Sequence, residues 1–247
     1  MLTGFQCWLL RKLSPQGPNC CTGAVYNGKS KLEILLGPQF LERTAGKDVI
    51  DFGCGEGAEA IEMAVRGARR VIGLDIREDV LETARQRALV AGVENVCYFV
   101  HSTNERTDII VSIDAFEHFS EPARILTVMN ELLRPGGEAL VSFGPTWYHP
   151  LGGHLFSVFP WAHLIFSEKA LMKWRSSFKT DGATRISEVA GGLNQMTIKR
   201  FEELIKTSRF EIVSLETIPI RRLRLVHNRA TREFTTAIVR YRLVKED

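Results

Sequence analysis

Apolar residues recur along this chain in two alternating rhythms. Blocks such as Val49-Ile50, Val71-Ile72-Gly73-Leu74, Ile109-Ile110-Val111 and Ala139-Leu140-Val141 are unbroken and rich in β-branched side chains, as in strands buried on both faces. Between them the spacing lengthens to that of a helical stripe. Val80, Leu81, Ala84 and Ala88 form one stripe, ended by Gly92. Ile125, Leu126, Met129, Leu132 and Leu133 form another, opened by Pro122 and closed by Pro135-Gly136-Gly137. The pattern predicts strands at about 48–52, 71–76, 96–100, 108–113 and 139–143. Strands that alternate with helices pair in parallel and carry helices on both faces.

Outside this core the rhythm changes. Residues 1–45 are expected to form a helical lead-in, with Leu32, Ile34, Leu35, Leu36, Phe40 and Leu41 on one or two short amphipathic helices around Gly37-Pro38. Ser14-Pro15-Gln16-Gly17-Pro18-Asn19 reads as a loop. Residues 144–195 are too long for an ordinary connection and read as a lid or substrate-binding insertion within a single domain spanning 1–247. That insertion concentrates aromatic and imidazole side chains: Trp147, Tyr148, His149, His154, Trp161, His163 and Trp174 among them. Ser167 and Thr197 are placed to cap two following helices. Phe210–Ile218 and Phe234–Leu243 read as the last two strands.

Composition narrows the class without naming a chemistry. A chain of 247 residues, 45% hydrophobic and 25% charged, suffices for one α/β domain with a full core. The formal charge of +3 does not by itself argue for nucleic acid, which is not expected as a partner. Arg221, Arg222, Arg224, Arg229, Arg232, Arg240 and Arg242 crowd the C-terminal part; a solvated basic face is the reading adopted, an anionic partner the alternative. Five irregularly spaced cysteines match no zinc pattern and suit reduced thiols in a cytoplasmic protein. Met1–Leu13 lacks the basic start of a signal peptide, and no stretch approaches the ~18 apolar residues of a membrane span.

The candidate chemistry sits in Val49-Ile50-Asp51-Phe52-Gly53-Cys54-Gly55-Glu56-Gly57-Ala58. An apolar strand ends in an acid, three glycines alternate, and helix-forming residues follow. Such a turn lets a ligand approach the backbone and sets it at the start of a helix, whose first N–H groups lack partners within the helix. Asp75 closes the next strand about 20 residues later, where an acid accepts two ribose hydroxyls. Gly53, Gly55 and Ala58 also satisfy the dinucleotide fingerprint, so loop and acid alone leave a nicotinamide and an adenosyl sulfonium cofactor both open. Cys54 reads as a small apolar filler within the loop rather than a nucleophile.

The ordered set VIDFGCGEGA, VIGLDI, DIIVSIDAFEHF and LRPGGEALVSF resembles the class I S-adenosylmethionine-dependent methyltransferases, in particular their small-molecule branch, over about residues 45–143. The resemblance implies a doubly wound, Rossmann-like, seven-stranded and mostly parallel sheet with an antiparallel last strand. It implies S-adenosyl-L-methionine as cofactor and methyl transfer to an O, N or C nucleophile of a small molecule. Gly53, Gly55 and Gly57, with Cys54 among the cofactor-binding positions between them, would line the cofactor's amino-acid and ribose part. Asp51 would lie near its ammonium, directly or through water, Asp75 would hold its ribose hydroxyls, and Ile76 would pack on its adenine. Ser102, beside His101, would meet the adenine edge, although the acid usual there is absent; Asp114 and Ala115 would face the methionine part and the substrate.

Asp114-Ala115-Phe116-Glu117-His118 resembles the Glu-x-x-Glu-His element of metal-dependent relatives, but a metal-free turn is the reading adopted. His118, His154 and His163 are the candidate general bases. A non-catalytic cofactor-binding subunit of the same fold and an RNA methyltransferase are the alternatives.

Overall fold

The computed structural model describes residues 2–15, 30–157, 159–189 and 192–246. Cys20, Cys21 and the expected loop from Gln16 to Asn19 lie outside the described residues.

Seven strands, β1 (Asp48–Phe52), β2 (Arg70–Leu74), β3 (Cys97–Val100), β4 (Thr107–Ile113), β5 (Leu133–Phe143), β6 (Phe210–Pro219) and β7 (Thr236–Lys245), form one sheet in the order β3-β2-β1-β4-β5-β7-β6. The pairs β3-β2-β1-β4-β5 are parallel. The last strand of the chain, β7, runs antiparallel to both its neighbours and lies inside the edge strand β6. β1 and β4 are adjacent, so the order reverses there, and the crevice beyond their C-terminal ends is where open α/β sheets bind ligands.

Alternation along the strands assigns the two faces. Val49, Val71, Ile109 and Val111 point to one side, against α2 (Lys31–Leu36), α3 (Phe40–Thr44), α4 (Ala58–Val65) and α5 (Glu78–Ala91). Ile50, Ile72 and Ile110 point to the other, against α6 (Pro122–Leu132) and α9 (Ile198–Lys206). The predicted stripes are the buried ones: Leu81, Ala84 and Ala88 on α5, with Gly92 left-handed as its stop, and Leu126, Met129 and Leu132 on α6, with Pro122 in its first turn. Thr197 caps α9 by accepting the Arg200 N–H at 3.0 Å.

A third core lies apart from the sheet. The chain's first helix, α1 (Leu2–Leu13), places Cys7 and Leu10 against Phe156, Phe166, Leu171, Trp174 and Ile186 of the 144–195 segment, which contains α7 (Ala162–Ile165) and α8 (Glu168–Arg175). The helical lead-in is therefore divided, with α1 joining the insertion while α2 and α3 join the sheet. Ser167 precedes α8 but does not cap it; its hydroxyl donates to Gln6 Oε1 of α1 at 2.7 Å, tying the two together.

Three boundaries differ from the expected ones. β2 ends at Leu74, because the Asp75 carboxylate bonds the next turn instead of continuing the ladder. β5 begins at Leu133, and Pro135-Gly136-Gly137 sits within a bulge where pairing jumps from Thr107–Leu133 to Ile109–Glu138. The bulge accompanies Arg134 reaching Asp48 and Asp108, both at 2.6 Å. β7 begins at Thr236, since Phe234 belongs to a short helix, α10 (Arg232–Thr235).

Candidate cofactor and methyl-transfer site

The glycine turn is held by its own amides. Gly53 and Cys54 both donate to the Leu74 carbonyl, at 2.8 and 2.9 Å, and Gly57 donates to the Cys54 carbonyl at 2.9 Å. Those N–H groups are spent on shaping the loop, so what faces the crevice is its open backbone. The three glycines have different jobs. A Cβ on Gly57 would lie 2.6 Å from the Phe99 ring and one on Gly53 2.6 Å from Ala115 Cβ, so both permit close packing. Gly55, with φ +51°, meets nothing closer than an Arg77 nitrogen at 3.9 Å and is the glycine open to a ligand. Cys54 is buried beneath the turn, and burial pushes its thiol well above the usual range, as suits a filler.

Asp51 lies under the start of α4, and only 3% of it is exposed. Its carboxylate takes the Ala60 N–H, while Oδ2 has no hydrogen-bond partner among the described residues. Burial, then the negative Glu59, raises its pKa to about 8. A buried acid with an unused oxygen has capacity for a donor or cation from outside the protein.

Asp75 stands beyond β2. Its carboxylate accepts the Gly55 N–H at 3.0 Å, the Arg77 N–H at 3.0 Å, and Arg77 Nε and a terminal guanidinium nitrogen at 3.1 and 3.2 Å. Burial acts to raise its pKa, but the Arg77 bonds outweigh that and hold the carboxyl below its ordinary value. The acid is thus ionised and fixed to the glycine turn. Beside it Ile76, an aliphatic side chain, is 90% exposed. His101 bonds the Asp75 carbonyl at 3.2 Å and Glu78 at 2.6 Å, and Ser102 is exposed next to it.

The turn after β4 completes the crevice. Asp114 is a non-glycine residue with φ +49°, a conformation that costs about 1 kcal/mol and recurs at functional sites. Its carboxylate pairs at 2.9 Å with Lys31 of α2, which also lies 3.5 Å from Glu59 of α4. Ala115 is buried against Gly53. Glu117 is 4% exposed; Oε1 accepts the Gly144 N–H at 3.4 Å and Oε2 has no partner. Burial and the neighbouring Asp114 raise its pKa to about 8. Asn194 clamps this turn: its backbone N–H donates to the Glu117 carbonyl at 2.9 Å, and Nδ2 to those of Phe116 and Phe119 at 2.8 Å each.

Lys31 and Asn194 are the functional positions that the sequence reading missed. Neither belongs to a motif, and only the fold brings them to this turn. Among the described residues no group of three or more His, Cys, Asp or Glu side chains is gathered closely enough to hold a metal ion.

The three candidate bases separate. His118 is half-buried and stacks edge-on with His154, ring centres 5.8 Å apart. Its Nδ1 lies 3.1 Å from the Gly192 carbonyl, which only accepts, so Nδ1 donates there. Burial, then His118, depresses His154 to about 4, which keeps it neutral. His163 is given over to the insertion's own backbone: Nδ1 accepts the Gly153 N–H at 3.1 Å and Nε2 donates to the Trp147 carbonyl at 2.6 Å.

With this geometry in place, likeness to known proteins becomes informative. A family described as "Methyltransferase domain" matches residues 43–146. Residues 43–146 therefore carry the pattern of a methyltransferase domain. The Neisseria meningitidis serogroup A protein named ubiquinone biosynthesis O-methyltransferase is 35% identical over 136 residues, 52% of this chain and 53% of its own length. The protein of that name from Vibrio atlanticus is 36% identical over 113 residues, 41% of this chain and 46% of its own. The chain spans about half the length of the curated relatives it matches.

Among solved structures, an S-adenosylmethionine-dependent methyltransferase from Mesorhizobium loti superposes with a TM-score of 0.54 at 18% identity, over 83% of this chain and 96% of that one. The [4+2]-cyclase SpnF superposes with 0.56 at 16% identity, over 84% and 79%. At those identities the likeness concerns the fold alone. A methyltransferase and a cyclase share it, so the activity has to be argued from the site.

Proposed function

We propose that this chain transfers a methyl group from S-adenosyl-L-methionine to a nucleophilic oxygen of a small, largely apolar molecule. One observation carries the cofactor reading. The ionised Asp75 is anchored to the open Gly55 of the glycine turn, with the exposed aliphatic Ile76 beside it. That pairing fits a nucleoside, the carboxylate accepting ribose hydroxyls and the aliphatic side chain packing on a base. The crevice's other end gathers the carboxyl groups of Asp51, Glu59 and Asp114 around the Lys31 ammonium, and a positively charged ligand group there would favour the ionised form of the buried Asp51. The relatives' name supports oxygen as the acceptor atom.

When bound, the cofactor supplies an activated methyl group on a sulfonium that leaves as a neutral thioether. The chain's own residues provide position and a proton acceptor. Arg77 swings off Asp75 to admit the ribose. Asn194 holds the Asp114–His118 turn in register, so the acceptor approaches in line, where alignment contributes most of the acceleration. His118 Nε2 takes the hydroxyl proton. The 144–195 segment, with α1 as its support, closes the crevice against water. No residue in this account requires a metal.

The test is calorimetric titration with S-adenosylmethionine, S-adenosylhomocysteine and NADH. Both adenosyl ligands are expected to bind, and Asp75→Ala to weaken them about a hundredfold, the loss of two hydrogen bonds to a charged group. Binding of NADH alone overturns the reading. With an acceptor found by screening hydroxylated aromatics, His118→Gln lowers kcat by a factor of about 100 or more and leaves cofactor affinity unchanged.

A further inference from the structure

The connection between β6 and β7 presents an unusual surface. From Ile220 to Arg232 the sequence contains no acid, and Arg221, Arg222, Arg224 and Arg229 are exposed and make no ion pair among the described residues. Between them Leu225 is wholly exposed and Val226 more than half exposed. These six residues form a short turn of helix and the bend that follows it.

The turn is not loose chain. Ile220 donates to the Thr235 carbonyl at 2.8 Å. The His227 ring bridges the connection's two sides, Nε2 to Thr217 Oγ1 at 2.9 Å and Nδ1 to Thr235 Oγ1 at 2.7 Å. Asn228 and Thr231 close the following bend. A braced scaffold thus holds two aliphatic side chains in water inside a ring of cations. Exposing Leu225 and Val226 forgoes their burial, so the arrangement implies that something else covers them.

We infer that the β6–β7 connection docks on an anionic lipid surface. Guanidinium groups meet lipid phosphates while the aliphatic tip enters the boundary between headgroups and acyl chains. Charge complementarity selects the anionic surface and aliphatic chemistry selects lipid. A nucleic acid would be met by aromatic stacking, and the nearby Phe234 ring is already packed on Tyr148 of the insertion, ring centres 5.2 Å apart. The location agrees. The connection leaves β6 at the same sheet edge as the candidate site, and Glu233 in it caps α9 while its carbonyl accepts the Thr146 hydroxyl. The inference does not depend on the methyl-transfer reading.

The experiment is co-sedimentation of the full chain with phosphatidylcholine vesicles and with vesicles that also contain phosphatidylglycerol, at rising salt. Partition on the phosphatidylglycerol vesicles, weakening with salt, is expected. Combined Arg221→Gln, Arg222→Gln and Arg224→Gln lower it about a hundredfold, roughly fivefold for each cation, and Leu225→Ser lowers it about tenfold. Both variants keep the unfolding temperature of the parent, which separates lost docking from lost fold. No partition on anionic vesicles, partition equal in parent and variants, or capture by RNA or an acidic protein without vesicle binding overturns the proposal.

Discussion

Asp48 and Asp51 sit three positions apart on the same strand, β1, and meet opposite fates. Asp48 faces the N-terminal edge of the sheet, where Arg69 at 2.8 Å, Arg70 at 3.2 Å and Arg134 at 2.6 Å converge on it. The hydrogen bond from Arg69, opposed by burial and aided by Arg134, holds its carboxyl far below the usual range. A cleft of about 430 Å³ opens at this edge, but of its lining charges Arg43, Arg134, Arg242, Asp108 and Glu138 are paired with one another or with Asp48. Asp51 faces the C-terminal edge, where burial outruns partners, and its pKa rises to about 8, as does that of Glu117. One edge has satisfied its acids; the other has left them short, and it is the edge that carries the candidate site. Perturbed, under-satisfied acids in a crevice are the physical mark of a binding centre.

Substitutions that invert this contrast test it. Asp48→Ala removes the acid on which three guanidinium groups converge, each of which keeps a second acid, and is expected to cost about 1–2 kcal/mol in chemical denaturation, while calorimetry finds cofactor affinity unchanged. A parallel loss of affinity would mean that the two edges are not independent.

The pH dependence separates the edges next. Asp51 and Glu117 have native values of about 8 against ordinary values of 3.8 and 4.5. Between about pH 4.5 and 8 the folded chain therefore holds protons that the unfolded chain has released, and stability falls as pH rises. The unfolding temperature is expected to drop across that window, and combined Asp51→Asn and Glu117→Gln to flatten the slope. Asp48, with its lowered value, acts oppositely, and its contribution is lost as pH falls below the ordinary 3.8.

His163→Ala removes two hydrogen bonds internal to the insertion and should cost about 1–2 kcal/mol. Limited proteolysis within 144–195 would report the loosening, with the cofactor heat intact; loss of that heat would instead place His163 at the ligand. The smallest expected effect is none. Chelation leaves turnover unchanged, because Asp114 is paired with Lys31 and Glu117 is held neutral by burial. Abolished turnover on chelation would give both acids to a divalent cation.

Much of this was legible in one dimension. The strand and helix periods, the glycine turn, Gly92, Pro122 and Thr197 are local signals, and local backbone chemistry fixes what they do. Asp51 and Asp75 were likewise visible, since their positions at strand ends follow from the pattern alone. The limits appeared where a residue's partner is remote in sequence. Ser167 looks like a helix cap and instead bonds Gln6; Pro135-Gly136-Gly137 looks like a helix stop and instead forms a strand bulge beside the Asp48 cluster. His163 looks like a base and bonds backbone, whereas His118 lies in the turn after β4 against His154.

The sequence by itself thus determined the order of elements, the crevice and the acids that line it, because periodicity and turn chemistry act over a few residues. Tertiary structure alone decided which acids are satisfied and which are not. Electrostatic fate depends on desolvation and on cations brought from other elements, as Lys31 of α2 is brought to Asp114 and Arg134 to Asp48. It also decided that α1 belongs with the insertion, since a small apolar stripe becomes a core only where another surface meets it.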